Sequence, residues 1–432
     1  MKKLGQFSIG ALALIGASGL MITDEADSFD TLGFKLGTGQ RDFRLNNNFS
    51  DTASNNNTTE HYNWPGYDGA ELAIWKSAAE WGSDVFGDGS GDTTQNKIGN
   101  GGANFNAVWN GNANGHSTNG RNIISAINSA GNGAIAWMYG GSSGWTIEFI
   151  DRDFNFADGP GTINNNQMDI QAINTHEYGH ALGLGHSNVN GATMWPSASY
   201  GSVTPRSINN DDQAGVQSIY GVQSSSMPYI DDVQGSTAAG GTAIVVGGNF
   251  TTNDCRVWFN SDVFNNLESG GDPYKLNGLS STNGGTQISF TVPNSGIETG
   301  GIHVKLSGSG ESLSEGHPFE LGSSPWDKLN MTGPSSVTGG QLVTYTFDNG
   351  TAGLPYQFHY STSNAGHVTS GHQFDLGLPI SLAGAGTTSG AGTGSVTKRV
   401  PSRAAGRTFY IEARTIGGGF FEDSNMIALT VN

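Results

Sequence analysis

Residues 176–186 read HEYGHALGLGH, three histidines and one glutamate at fixed spacing. On a helix, side chains four apart share a face, so His176 and His180 present both imidazoles to a single ion. Glu177 stands one step around, close enough to reach a water on that ion without being a ligand. Gly183 lets the chain leave the helix through a left-handed conformation closed to residues with a Cβ. Three residues on, His186 then swings back as a third ligand. Three neutral imidazoles suit Zn2+ and leave a coordination position open, which distinguishes catalytic from structural sites. Zinc lowers the pKa of water to about 7 and polarises a peptide carbonyl, while Glu177 takes the water's proton as general base and passes it to the leaving amine. A closed zinc site, or a core histidine cluster without metal, would leave Glu177 and Gly183 without a physical reason.

The elements that must hold this set are legible around it. A helix starts at Asp169, an N-cap, with Ile170 and Ile173 one turn apart and the histidines in its second half. AELAIWKSAAEW (70–81) places Leu72, Trp75 and Ala79 on one face beside Ile74, Ala78 and Trp81, as a helix with a broad buried stripe does. A third helix is expected in NNDDQAGVQSIYG (209–221). RDFRL (41–45), GAIAWMY (133–139) and WTIEFIDRDFNF (145–156) read as strands, the last ending in an acidic turn. The rest of 24–69 is loop-heavy, and 87–120 is a long Gly/Asn segment.

After a polar linker, VQSSSMP (222–228), the texture changes to short apolar runs broken by glycine pairs. TAIVVGGNF, CRVWF, QISFTVP and IHVKLSG come at intervals suited to a β-sandwich. Beyond a second linker, GSSPWDK (322–328), a further set follows: QLVTYTFD, YQFHYS, RTFYIEART and MIALTVN. No helical period of useful length occurs between 229 and 432.

Composition agrees with this plan and excludes some functions. The chain has 432 residues, enough for several domains, with 67 glycines and only 13% charged residues, which favours turn-rich β structure. With a net charge of -18 and 19 Lys and Arg, no basic stripe is available to neutralise phosphates, so nucleic acid is not an expected partner. Lys2 and Lys3, an apolar run from about Phe7 to Ile22 and a following acidic stretch have the order of a secretory signal; the alternative is one uncleaved anchor helix. No other stretch is expected to span a membrane, so the mature chain is expected to be secreted. Cys255 is the only cysteine, so no disulfide forms within the chain; it reads as a small, half-buried strand residue.

The full HExxHxxGxxH spacing resembles the metzincin metalloproteases. Ser187 after the third histidine and the ATMWP segment (192–196) are similar to the matrixin branch, the matrix metalloproteinase-like group. This resemblance is strongest over 169–221 and extends over about 30–221. It implies an α+β catalytic domain with a twisted mixed sheet and about three helices, and a protein or peptide substrate. By the same likeness Met194 would lie beneath the imidazoles as a hydrophobic floor, and Asp212 would brace that turn. Pro196 stands where some other metzincins place an extra tyrosine ligand. GAIAWMY would be a sheet edge on which an extended substrate pairs as an added strand, unless Trp137 makes it an interior strand. Asp151, Asp153, Asn155 and Asp158 form an oxygen-rich turn where matrixins bind Ca2+; a solvated turn is the alternative.

There are departures from the animal matrixins. No histidine occurs between His116 and His176, so a second, structural zinc is not expected. Cys255 lies beyond the motif, so a propeptide thiol switch is not available in its usual form. Asp24, Glu25 and Asp27 could oppose the zinc through a carboxylate, although a solvated tail explains them as well.

YIDDVQGSTAAGGTAIVVGGNFTTNDCRVWFN resembles the opening of an IPT/TIG immunoglobulin-like domain. The expected organisation is a signal peptide at 1–22, the metalloprotease domain at 23–223 and two all-β immunoglobulin-like sandwiches at 228–321 and 325–432. In the last, Tyr356, Phe358, Tyr360 and Phe409 read as core rather than as a carbohydrate platform. His359, His367 and His372 lack carboxylates at fixed spacing and are not read as a metal site. The functional expectation is a secreted zinc endopeptidase acting on extracellular proteins. One alternative is a non-catalytic exported adhesion or matrix-binding protein that engages matrix or cell-surface ligands through the sandwiches. Another is a zinc amidase acting on cell-wall peptide.

Overall fold

The computed structural model describes residues 7–8, 28–37, 41–57, 66–83, 92, 94–95, 97–116, 121–261, 273–307, 312–322, 329–364, 367–369, 372–374, 376–416 and 422–432. The expected signal segment (1–22) lies outside them, save Phe7–Ser8, which pair antiparallel with Ser197–Ala198. Asp24, Glu25 and Asp27 also lie outside.

Around the histidine motif the elements are β1 (Asp42–Asn46), α1 (Gly69–Ala79), β2 (Val108–Asn112), β3 (Ile123–Ile127), β4 (Ala136–Gly141), β5 (Gly144–Ile150), α2 (Ile170–Ala181) and α3 (Asn210–Tyr220). The strands form one mixed sheet in the order β2-β1-β3-β5-β4. β1 runs parallel to β2 and β3, β3 parallel to β5, and β4 closes the row antiparallel to β5. The expected edge strand is thus the terminal one. Trp137 on it is only partly buried, and its indole donates to Glu148 Oε2 at 2.7 Å, so it is not an interior core residue.

β2 arises within the Gly/Asn segment 87–120, which sequence texture left without a strand. Val108 and Trp109 are buried there, and Asn110 is buried with them. Phe43 and Leu45 of β1, Ile124 of β3, Ile147 and Phe149 of β5, Trp75 of α1 and Ile173 of α2 share one core. α2 is buried along all twelve residues, which explains why its apolar stripe is indistinct: several faces meet protein. Part of its polar surface is paired inward, as Asn174 Nδ2 to Ser77 Oγ (2.6 Å) shows.

The rest of the chain is mostly β. β6 (Tyr229–Gly235), β7 (Thr242–Gly248), β10 (Ser281–Thr282) and β11 (Gln287–Thr291) make a sheet in the order β6-β7-β11-β10. β8 (Cys255–Phe259), β9 (Tyr274–Leu279), β12 (Gly300–Lys305) and β13 (His317–Phe319) make another, in the order β9-β8-β12-β13. Cys255 is fully buried rather than half-buried, because its side chain faces the interior at the start of β8 and its thiol donates to Thr251 O.

The C-terminal strands are β14 (Asn330–Thr332), β15 (Ser336–Val337), β16 (Leu342–Asp348), β17 (Pro355–Ser361), β18 (Ser381–Thr387), β19 (Gly394–Arg399), β20 (Thr408–Thr415) and β21 (Ile427–Val431). They form a three-stranded sheet, β14-β16-β19, and a five-stranded sheet, β15-β21-β20-β17-β18. Both contribute to one core that includes Tyr345, Phe347, Phe358, Ile411 and Leu429. Of the aromatics expected to fill that core, Phe358 does, Tyr356 and Phe409 are partly buried, and Tyr360 is 38% exposed.

The chain divides into two compact units, residues 1–230, 248–288 and 295–318 in one and 231–247, 289–294 and 319–432 in the other. Among the described residues no helix is long and apolar enough to cross a membrane.

Candidate metal centre and catalytic carboxylate

Asp169 caps α2: its carboxylate accepts from Ala172 N at 2.7 Å. The helix runs through His176, Glu177 and His180 to Ala181, and Gly183 then turns the chain with φ +104°. A Cβ there would fall 2.2 Å from Phe34 O, so glycine is required both by conformation and by close approach. Gly183 O also accepts from Leu32 N at 2.7 Å, which ties the exit of the helix to the segment around residue 32.

The three imidazoles meet. Their ring centroids lie 4.7 Å (His176–His180), 4.9 Å (His180–His186) and 5.3 Å (His176–His186) apart. One ring nitrogen from each falls within 4.8 Å of the others, and among the described residues this is the one such group of three or more His, Cys, Asp or Glu side chains. His176 Nδ1 donates to Thr193 O (2.6 Å) and His180 Nδ1 to Leu184 O (2.8 Å), which fixes the tautomer and turns each Nε2 inward. All three Nε2 atoms are buried without a hydrogen-bond partner.

Burial, then the neighbouring imidazoles, pushes His176 well below the ordinary histidine value. Burial likewise lowers His180 to about 4 and lowers His186, where Asp30 opposes it. All three are therefore neutral near pH 7, the form that binds metal. Orphaned, neutral, convergent imidazole nitrogens fit a zinc ion.

Glu177 is fully buried, and neither carboxylate oxygen has a hydrogen-bond partner. Burial lifts its carboxyl well above the usual carboxylate range, opposed by the nearby Met138 backbone of β4, which does not reach hydrogen-bond geometry.

Met194 packs under α2: a Cβ on Gly179 would lie 2.4 Å from its sulfur and 2.7 Å from Cζ2 of Trp81. Gly179, between Glu177 and His180, thereby permits a contact that motif spacing does not announce. Asp212, itself buried, accepts from Thr193 N (2.7 Å) and Asn209 N (3.0 Å) through Oδ2 and from Met194 N (3.0 Å) through Oδ1. The Asn209 contact closes a capping box at the start of α3. A continuous path thus runs from Asp212 through the Thr193 peptide to His176. Ser187 Oγ donates to Asp211 Oδ2 at 2.5 Å, and Tyr220 OH at the end of α3 donates to Leu182 O at 2.9 Å.

Sequence reasoning missed the ion network that seats α2. Arg206 reaches the N-cap Asp169 through Nε (3.0 Å) and Nη2 (2.5 Å) and Asp92 through Nη1 (3.1 Å). Lys76 of α1 pairs with the same Asp92 at 3.0 Å. Burial alone would raise Asp92, but Lys76, Thr94 and Arg206 outweigh it and hold that carboxyl well below its ordinary range. Its partners are 16 and 114 residues away, a separation no local pattern carries.

The acidic turn is dispersed rather than gathered. Asp153 pairs with Arg152 at 2.8 Å on the surface and accepts from Gly131 N. Asp151 accepts from Ser50 N, Asp158 from Asn57 N, and the backbone carbonyl of Asn155 accepts from Met168 N. Asp51 faces Asp151, and burial together with that neighbouring charge raises its carboxyl, although Phe156 N donates to it.

Residues 99–221 match the family model described as matrixin. The chain is 37% identical over 81 residues to metalloendoproteinase 4-MMP of Arabidopsis thaliana, covering 18% of this chain and 19% of the relative. It is 42% identical over 52 residues to neutrophil collagenase of Homo sapiens (12% and 11% of the two chains). It is 47% identical over 47 residues to matrilysin of Mus musculus (11% and 18%). The matched stretches therefore span less than a fifth of each of these relatives.

Proposed function

From the premise that residues 99–221 form a matrixin domain, we propose that this chain is a secreted zinc-dependent endopeptidase acting on extracellular proteins or peptides. The observation that carries the reading is the buried, unpartnered Glu177 carboxylate beside three convergent imidazole nitrogens. Burying such a group without a partner costs several kcal/mol at a site that only bound or only supported. The non-catalytic alternative gives that cost no return.

His176, His180 and His186 would hold the ion, and zinc bound there supplies Lewis acidity towards a peptide carbonyl and acidifies water to a pKa of about 7. Thr193 O and Leu184 O keep two of the rings in one tautomer and orientation. Glu177 accepts a proton on a carboxylate oxygen from the attacking water and returns it to the leaving nitrogen as the peptide bond breaks. Burial raises the proton affinity of this carboxyl, the direction that favours taking the water's proton. β4, the terminal strand of the sheet, offers its outer backbone edge to an extended substrate as an added strand. Met194 and Asp212 serve as positioning residues, and Gly183 sets the return of His186.

Secretion rests on the charged-then-apolar order of the first 22 residues. Calcium is proposed at the turn of Asp151, Asp153, Asn155 and Asp158, where one buried oxygen of Asp151 and one of Asp158 have no hydrogen-bond partner. In this proposal the protease domain occupies 23–223. β modules at 228–321 and 325–432, immunoglobulin-like in the proposal, contribute surface rather than chemistry.

The test is unbiased peptide cleavage profiling joined to metal analysis. One zinc per chain and cleavage at internal peptide bonds, abolished by 1,10-phenanthroline and restored by zinc, support the proposal. A protein with one zinc that cleaves no peptide or protein refutes it, and hydrolysis confined to cell-wall peptide transfers the site to an amidase.

A further inference from the structure

The C-terminal β module contains a cavity of about 570 Å3, lined wholly by residues between 343 and 429. It opens at one end of the two sheets, where β16, β18 and β20 begin and β17 and β19 end. Register fixes this: Val343 pairs with Lys398, Tyr360 with Ser381 and Tyr360 again with Ile411. The floor is apolar, with Val343, Tyr345, Val396, Ile411 and Leu429 continuous with the module's core. Leu382, 56% exposed, and Tyr360, 38% exposed, stand at the mouth.

The rim is cationic. Lys398, Arg399, Arg403 and Arg407 all line the cavity and all are exposed. Lys398 takes the inward register two residues after Val396 and opposite Val343, a position where an apolar side chain would close the core. Arg399 Nη1 donates to Gly340 O, and among the described residues none of the four is in an ion pair. Four of the chain's 19 Lys and Arg thus surround one opening in a protein of net charge -18.

The volume falls within the range of small-molecule sites, about 300–1,000 Å3. An apolar floor under a guanidinium-rich rim selects a molecule with an apolar body and an anionic head, because planar guanidinium groups hold carboxylates through paired hydrogen bonds. We propose that this cavity is a binding site for an amphipathic anion, a medium-length alkyl or aryl body carrying a carboxylate. The floor takes the body by burial, and Lys398, Arg403 and Arg407 take the head. The site stands apart from the zinc reading and does not depend on it.

Isothermal titration of the full chain with decanoate, decyltrimethylammonium and decyl glucoside, each below its micelle concentration, tests this. Decanoate is expected to bind at a single saturable site, at least tenfold more tightly than either analogue, and to weaken as NaCl rises. The triple variant Lys398→Ala, Arg403→Ala, Arg407→Ala is expected to lose at least tenfold in affinity with unchanged thermal unfolding, since all three side chains are exposed. Leu382→Asp, at the exposed mouth, should weaken binding by opposing the anion. No decanoate binding, equal binding of decyltrimethylammonium or an unaffected triple variant overturns the proposal. So does sedimentation with phosphatidylglycerol vesicles in the absence of decanoate binding, which would make the rim a membrane-facing surface instead.

Discussion

Replacing Asp212 tests the path from α3 to the metal centre. The carboxylate accepts three backbone amides, those of Thr193, Met194 and Asn209, while almost wholly buried. A hydrogen bond to a charged acceptor contributes about 1.5–3 kcal/mol net, and an amide left buried without a partner costs about 1–3 kcal/mol. Water can reach the Asn209 amide at the start of α3, so two amides carry most of the loss. Asp212→Ala should therefore destabilise by about 3–5 kcal/mol, and Asp212→Asn, which keeps one acceptor oxygen but turns an NH2 towards a donor, by about 2–3 kcal/mol. Because Thr193 O is the acceptor for His176 Nδ1, zinc affinity should also fall, by about 10–100-fold as for other groups that orient a metal ligand. Urea unfolding with chelator present, followed by tryptophan fluorescence, isolates the first effect, since eight of the nine tryptophans lie in the unit that contains the histidines. Competition with a chromophoric chelator measures the second. An Asp212→Ala protein within about 1 kcal/mol of wild type and equal in zinc affinity would refute the reasoning.

Three further outcomes follow from the same geometry. Gly183→Ala must place a Cβ 2.2 Å from Phe34 O at φ +104°, so a loss of about 2–4 kcal/mol and of stoichiometric zinc is expected, checked by unfolding and metal analysis. Arg206→Met leaves Asp169 buried without its main partner and Asp92 with Lys76 as its one remaining cation among the described residues, and should cost about 3–5 kcal/mol, read from the urea midpoint. Glu80, raised by burial to about 7, stays protonated in the folded chain while the unfolded chain ionises near 4.5, so stability should fall as pH rises from about 4.5 through 7, by on the order of 3 kcal/mol. Glu80→Gln should flatten that slope in unfolding measured from pH 5 to 8, and an unchanged slope would remove Glu80 as its cause.

How much could be read beforehand follows the range of each interaction. α1, α2 and α3 were legible because caps and apolar spacing are local signals, and Asp169 does accept the amide expected of an N-cap. The three histidines and Gly183 were legible because one helix and one turn bring them together. Met194 and Asp212 came from family likeness alone, since nothing in their neighbours joins residue 212 to residue 194. β2 was obscured because Asn110, Gly111 and Asn112 have poor strand propensity and tertiary burial overrides it. The Lys76, Asp92, Arg206 and Asp169 network was invisible for want of any local pattern. The contacts of the acidic turn were equally illegible: Asp151, Asp153, Asn155 and Asp158, close in sequence, bond to different neighbours once folded. The cationic rim was missed because its basic residues were weighed against the net charge rather than against one another.

The proposed chemistry rests most directly on Glu177, and one comparison tests it: the rate of gelatin or casein cleavage by Glu177→Ala against wild type, both carrying one zinc per chain. General-base catalysis contributes about 10²–10⁴-fold, so a loss of at least 100-fold with zinc retained is expected. Equal rates, or a zinc-loaded wild type that hydrolyses neither protein, would contradict the account.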